Sequence, residues 1–211
     1  QSEILPDGRL LVRVVTVDRW SLVGGVRFSR EGNRTNYQFG FEERNLLGHH
    51  QFLSFDYFVQ EKEHNYIRGR FSDTRLWGYP LSLDVQYSND PLGSATTSQL
   101  AHPYYNLSQR WSYFLHHSRF GGRTDLLEDS VRAGSYEKRA NQVMAGVEYR
   151  WGPTKSKFAL GAGYRYVDKL HYNKFHYDTT VAVVFPGDSL YHRIGAVAEY
   201  SSYEFAKISR I

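Results

Sequence analysis

Between Thr35 and Ser88 the chain alternates apolar and polar residues with a period of two, on both sides of short turns. Tyr37, Phe39 and Phe41 fall on one side of an extended backbone, and Asn36, Gln38 and Glu42 on the other. Leu53, Phe55, Tyr57 and Val59 oppose Ser54, Asp56 and Gln60; Leu81, Leu83, Val85 and Tyr87 oppose Ser82, Asp84, Gln86 and Ser88. A period of two predicts strands with one apolar face. Turn signals such as Pro6-Asp7-Gly8 and Glu31-Gly32-Asn33 cut the pattern into about ten strands. The strands are expected over 9–17, 21–28, 35–43, 50–60, 65–71, 80–88, 104–117, 142–151, 157–167, 179–185 and 190–205. Two stretches, 89–103 and 118–141, read as long polar or charged loops. No segment of useful length has the helical period.

An apolar strand face must be covered. No amphipathic helix is available to do it, which leaves a second sheet or lipid. No run approaches the roughly 20 apolar residues of a membrane-spanning helix. Alternating strands could still line lipid, because half of their residues are polar and their mean hydropathy stays low. Aromatic residues make up 16% of the chain, with 17 Tyr and 13 Phe. Amphipathic rings suit a lipid–water boundary, and equally the interior of a soluble β-sandwich. Arg68, Arg70, Asp84, Glu148, Arg150 and Arg165 lie inside strand-like runs. They would have to face away from lipid.

Chemistry is sparse. With no cysteine, a disulfide framework, a thiolate metal site and a Cys nucleophile are excluded. The net charge of +4 is spread along the chain rather than clustered, so nucleic acid is not an expected partner. His49-His50 and His116-His117 invite a metal, but neighbouring strand residues point to opposite faces and cannot share one ion. Asp125, Glu128 and Asp129 lack the spacing of a calcium loop. There is no Gly-x-Ser-x-Gly elbow and no phosphate-binding glycine loop. No catalytic residue, metal ligand or cofactor site is assigned, and the chain is not expected to be an enzyme.

Three phrases follow one another in an informative order. Glu43-Arg44-Asn45-Leu46-Leu47-Gly48-His49-His50 is a turn, with Gly48 free to take a positive φ and Asn45 able to bond its own backbone. Phe71-Ser72-Asp73-Thr74-Arg75-Leu76-Trp77-Gly78 follows, then His102-Pro103-Tyr104-Tyr105-Asn106-Leu107 with Arg110-Trp111. In this order they resemble the start of the barrel in the BamA-type outer-membrane assembly-factor superfamily. Asn45, Leu46, Leu47 and Gly48 stand where that family has its turn motif. The family's Val-Arg-Gly-Phe loop has no counterpart here, since neither Gly69-Arg70 nor Gly122-Arg123 fits it.

The resemblance implies an all-β fold, an antiparallel transmembrane β-barrel present as the first part of a larger one. Residues 1–19 would end a preceding POTRA-like domain and residues 20–211 would form the N-terminal part of the barrel. A complete small barrel of ~8 strands is the other way to use this length. The implied location is the outer membrane of a diderm bacterium or the equivalent organelle membrane. The implied function is assistance to the insertion, assembly or translocation of other proteins. The implied partners are membrane lipid, unfolded outer-membrane client proteins and accessory lipoproteins. The residues themselves suggest where a client would pair. Ser21, Leu22, Val23, Gly24, Gly25, Val26, Arg27 and Phe28 form a first strand weakened by two adjacent glycines. A weakly paired edge is a template for an incoming strand. The alternatives are a passive structural or porin-like barrel and a soluble β-sandwich binding module.

Overall fold

A computed structural model describes residues 2–4, 10–12, 21–31, 34–60, 65–128, 131–153, 155–177 and 184–202. It is almost entirely β. Strands β1 (Ser2–Ile4) and β2 (Leu10–Val12) pair with each other as a small separate sheet. The rest is one antiparallel sheet. It runs through β3 (Leu22–Glu31), β4 (Arg34–Leu46), β5 (Gln51–Gln60), β6 (Tyr66–Asp73), β7 (Ser82–Asp90) and β8 (Gly93–His102). It continues through β9 (Trp111–Glu128), β10 (Val131–Trp151), β11 (Ser156–His176) and β12 (Ser189–Ser202). Each strand pairs with its neighbours in sequence, from β3 at one edge to β12 at the other. The only helical turn among the described residues is a single turn at Leu76–Gly78.

The barrel expected from the sequence is corrected by this topology. Among the described residues the outer edges of β3 and β12 have no partner strand, and the two do not pair with each other. The ten strands therefore make an open sheet rather than a closed transmembrane barrel. Period-two alternation specifies strands and their faces, but closure depends on whether the first strand meets the last, which no local pattern encodes.

Two predicted loops are corrected as well. Residues 93–102 of the stretch 89–103 form β8, hydrogen-bonded to β7 and β9. The stretch 118–141 is the extension of the β9–β10 hairpin, whose register runs from Tyr149↔Trp111 to Val131↔Glu128 with one irregularity at Arg132/Gly134. Ser, Thr, Gly and charged residues read as loop formers in isolation. Pairing on both sides overrides that weak preference. The predicted strand over 9–17 is described only at 10–12, and most of 179–185 lies outside the described residues; Val184 and Phe185 are not in a strand.

Local chemistry explains the turn at 45–48. The Gly48 amide donates to the Asn45 carbonyl at 2.9 Å, and the His50 amide donates to Asn45 Oδ1 at 2.9 Å. Gly48 sits at φ +76°, where glycine carries no steric cost. Leu47 is also left-handed, at φ +54°, and is 83% exposed.

Candidate interaction surface

The strand register sorts the side chains into two unlike faces. One face carries Val26 and Phe28, opposite Phe39 and Tyr37, then Tyr57 and Phe55, and onward through Phe71, Val85 and Leu100 to Leu115. It ends in Val147, Leu160, Tyr164 and Ile194 on β10 to β12. The other face carries Gln38, Asp56, Arg70, Asp84, Gln99, Glu148 and Arg165. The charged residues singled out from the sequence thus share one face.

The apolar face has a defined height. On β10 it extends from Val143 to Trp151, eight residue steps or about 27 Å. Beyond Val143 the same face turns polar across three strands, with Arg119 opposite Asn141 and Asn141 opposite Asp168. At the other end a chain of rings crosses β9 to β12. Trp111 and Tyr149 lie 4.7 Å apart, Tyr149 and Trp151 6.0 Å, Trp151 and Phe158 6.2 Å, and Phe158 and Tyr200 5.0 Å.

Among the described residues almost nothing covers this face. The buried apolar side chains are Ala101, Ala133, Ala159 and Val167 alone, all small. Meanwhile Val26 is 72% exposed, Leu160 56% and Ile194 83%. An exposed apolar patch of this extent marks a surface that meets another apolar phase or molecule.

The polar face is stitched together by side chains over β4 to β7. Arg70 donates through Nε and Nη2 to Asp84 Oδ2 at 2.9 and 2.8 Å. Arg68 pairs with Asp90 at 3.1 Å and lies over the Phe58 and Tyr66 rings. Gln38 donates to Asp56 at 2.8 Å.

Arg150 works differently. It is buried, its guanidinium lies 3.8 Å from the centre of the Tyr104 ring, and Nη2 donates to the Asn106 carbonyl at 3.0 Å. This fastens the loop over 103–110 onto the sheet. Tyr104 donates to the Glu148 carbonyl. Burial, then the interactions with Glu148, push its hydroxyl pKa up to about 12. Tyr105 donates to the Thr74 carbonyl at 2.6 Å, which ties this loop to the one before β7.

The first strand of the sheet contains the predicted pairing residues. Leu22, Gly24, Val26 and Phe28 sit on the apolar face, and Val23, Gly25 and Arg27 on the polar one. Ser21 precedes the strand and its hydroxyl bonds to the Glu43 carboxylate. A side chain added at Gly24 or Gly25 would meet nothing within 4 Å. Crowding therefore does not demand glycine at either place. The turn residues Asn45, Leu46, Leu47 and Gly48 lie at the same end of the sheet as the row of rings. His116 and His117 take opposite faces, beside Met144 and Val143 respectively. Among the described residues no three His, Asp or Glu side chains converge as a metal site would need. The ring row across β9 to β12 could not be read from spacing within one strand.

Comparison of the chain with protein-family models, with curated proteins and with solved structures finds no match in any of the three. The resemblance to the BamA-type superfamily is therefore not upheld: the sheet is open and no family model matches. The barrel-based roles that followed from it, in protein assembly or as a porin-like channel, fall with it.

Proposed function

We propose that this chain is a lipid-contacting β-sheet protein whose apolar face rests against bilayer hydrocarbon while its polar face stays in water. The observation that carries this reading is the exposed apolar face, about 27 Å high on β10, bounded by a polar row at one end and a row of rings at the other. Strand bands that meet lipid are about 25 Å tall and are flanked by aromatic residues. Tyr and Trp favour the head-group level because one part of the ring is apolar and another bonds water. Burying leucine- or phenylalanine-sized side chains from water yields about 1.5–3 kcal/mol each. The exposed rings and branched chains of this face make an apolar neighbour the dominant energetic term.

The reading has a consequence for the open edges. Unpaired backbone groups are costly in hydrocarbon. The β3 edge, with Gly24 and Gly25, is then a place for pairing with a further strand. No catalytic step and no cofactor enter the proposal.

Brominated phospholipids test it. Proteins retaining only Trp111 or only Trp151, with the other tryptophans replaced by phenylalanine, are reconstituted into vesicles. Fluorescence from both is expected to be quenched by bromines placed near the head groups. Quenching by aqueous iodide alone, in a protein that stays monodisperse without detergent or lipid, would overturn the proposal.

A further inference from the structure

The polar face of β9 to β12 contains a shallow concavity of about 440 Å³. Its floor is a row of glycines, with Gly146 opposite Gly163 and Gly163 opposite Gly195. Phe114 closes one side, its ring above Gly146, and Val197 the other. At one end Arg165 and Arg193 stand directly opposite each other and both line the hollow.

Two arginines in register repel one another, and such pairs destabilise a sheet. Arginine cannot relieve the repulsion by losing its proton. Arg165 Nη2 donates to Gln142 at 2.7 Å, while its Nε is buried without a hydrogen-bond partner. Among the described residues neither arginine forms an ion pair. The acidic groups lie elsewhere. Glu148 is at the far end of the hollow, opposite Gly161, four residues or roughly 14 Å along β11 from Arg165. Asp188 accepts the His171 amide at 2.6 Å.

From this arrangement we propose that the hollow binds an anionic amphiphile: an oxyanion head held between Arg165 and Arg193, with an apolar body lying on the glycine floor against Phe114. Charge fixes the orientation, because Glu148 repels an anion from the opposite end. Arginine forks match the planar geometry of a carboxylate. Glycines let an apolar chain approach the backbone closely, and pockets of this kind combine an apolar lining with a few placed polar groups. The site is on the face opposite the lipid-contacting one and does not depend on that reading.

A photoreactive dodecanoate with a diazirine at the end of its chain tests the proposal on the full chain, with labelled residues mapped by mass spectrometry. Expected labels fall on Phe114 and Val197, away from the arginine end of the hollow. The corresponding alcohol and alkylammonium should label these residues at least about tenfold less, as loss of a charge-assisted contact implies. The double variant Arg165→Gln/Arg193→Gln should lower dodecanoate labelling by a similar factor. Gly195→Leu keeps both arginines and places a side chain where nothing lies within 4 Å; it should block labelling of the hollow by filling it. Labelling of Phe55 and Leu160 on the other face controls for retained fold and should not change in any variant. Equal labelling by the alcohol, or labelling of the hollow that survives either variant, would overturn the proposal. So would a loss that extends to Phe55 and Leu160 in the double variant while Gly195→Leu still labels at the hollow.

Discussion

The polar face solves the same problem in two ways at its two ends. Over β4 to β7, charges close on one another: Arg70 on Asp84, Arg68 on Asp90, with Gln38 on Asp56 alongside. Over β11 and β12, Arg165 and Arg193 find no carboxylate among the described residues. Arg150 takes a loop carbonyl and an aromatic ring, Arg165 takes one amide oxygen, and Arg193 faces Arg165. The first region is complete within the chain. The second is complete only where a loop folds back over it, and is otherwise arranged to receive something. The difference teaches that a charged residue on a sheet face indicates function only after its partners are known.

The largest effect is expected where the second region is already satisfied. Arg150→Met removes a buried cation from the Tyr104 ring and leaves the Asn106 carbonyl without its donor. The expected cost is about 1.5–3 kcal/mol, the range for hydrogen bonds to charged groups. Urea unfolding measures it, and amide exchange over 105–109 should accelerate. An unchanged midpoint with unchanged exchange would mean that Arg150 does not hold this loop.

The same clamp sets a pH response. The Tyr104 hydroxyl is raised from 10 to about 12 in the folded chain. Below pH 10 the folded and unfolded forms both keep this proton, and the stabilisation is fully present. Between about pH 10 and 12 the unfolded form ionises first, so it binds fewer protons and stability falls as pH rises. Tyr104→Phe should flatten that segment of the stability curve. If both proteins lose stability in parallel over this window, Tyr104 is not the group responsible.

The smallest effect compares the two regions directly. Arg70→Gln breaks a half-exposed ion pair and should cost about 0.2–1 kcal/mol. Arg193→Gln removes one of two like charges in register. It should cost nothing, or stabilise by a few tenths of a kcal/mol, since cross-strand pair terms are roughly 0.2–1 kcal/mol. Equal losses in the two variants would erase the distinction between the regions. Raising the salt concentration should shrink both differences.

Much of the local structure was legible. The alternation at 53–59 and 83–87 places Leu53, Phe55, Val85 and Tyr87 on one face, and Ser54, Asp56, Asp84 and Gln86 on the other. Asn45 and Gly48 form the turn that their chemistry allows. Less legible were β8 and the β9–β10 extension, whose Ser, Thr, Gly and charged residues become strands only because neighbours pair with them. The hollow was not legible at all. Gly161 and Gly163 are two residues apart in one strand, but Gly146 and Gly195 come to the same floor only through register.

By itself, then, the sequence determined that this chain is β, where several of its strands turn, and that most of its strands have one apolar face and one polar one. Those features follow from backbone geometry and the two-residue repeat, which act over a few positions. Only the tertiary structure decided that β3 and β12 are the open edges of the sheet among the described residues, that rings from four strands line up at one end of the apolar face, and that Arg165 meets Arg193 over a glycine floor. Each of these depends on how strands far apart in the chain slide against one another. A shift of one residue would turn every side chain to the opposite face.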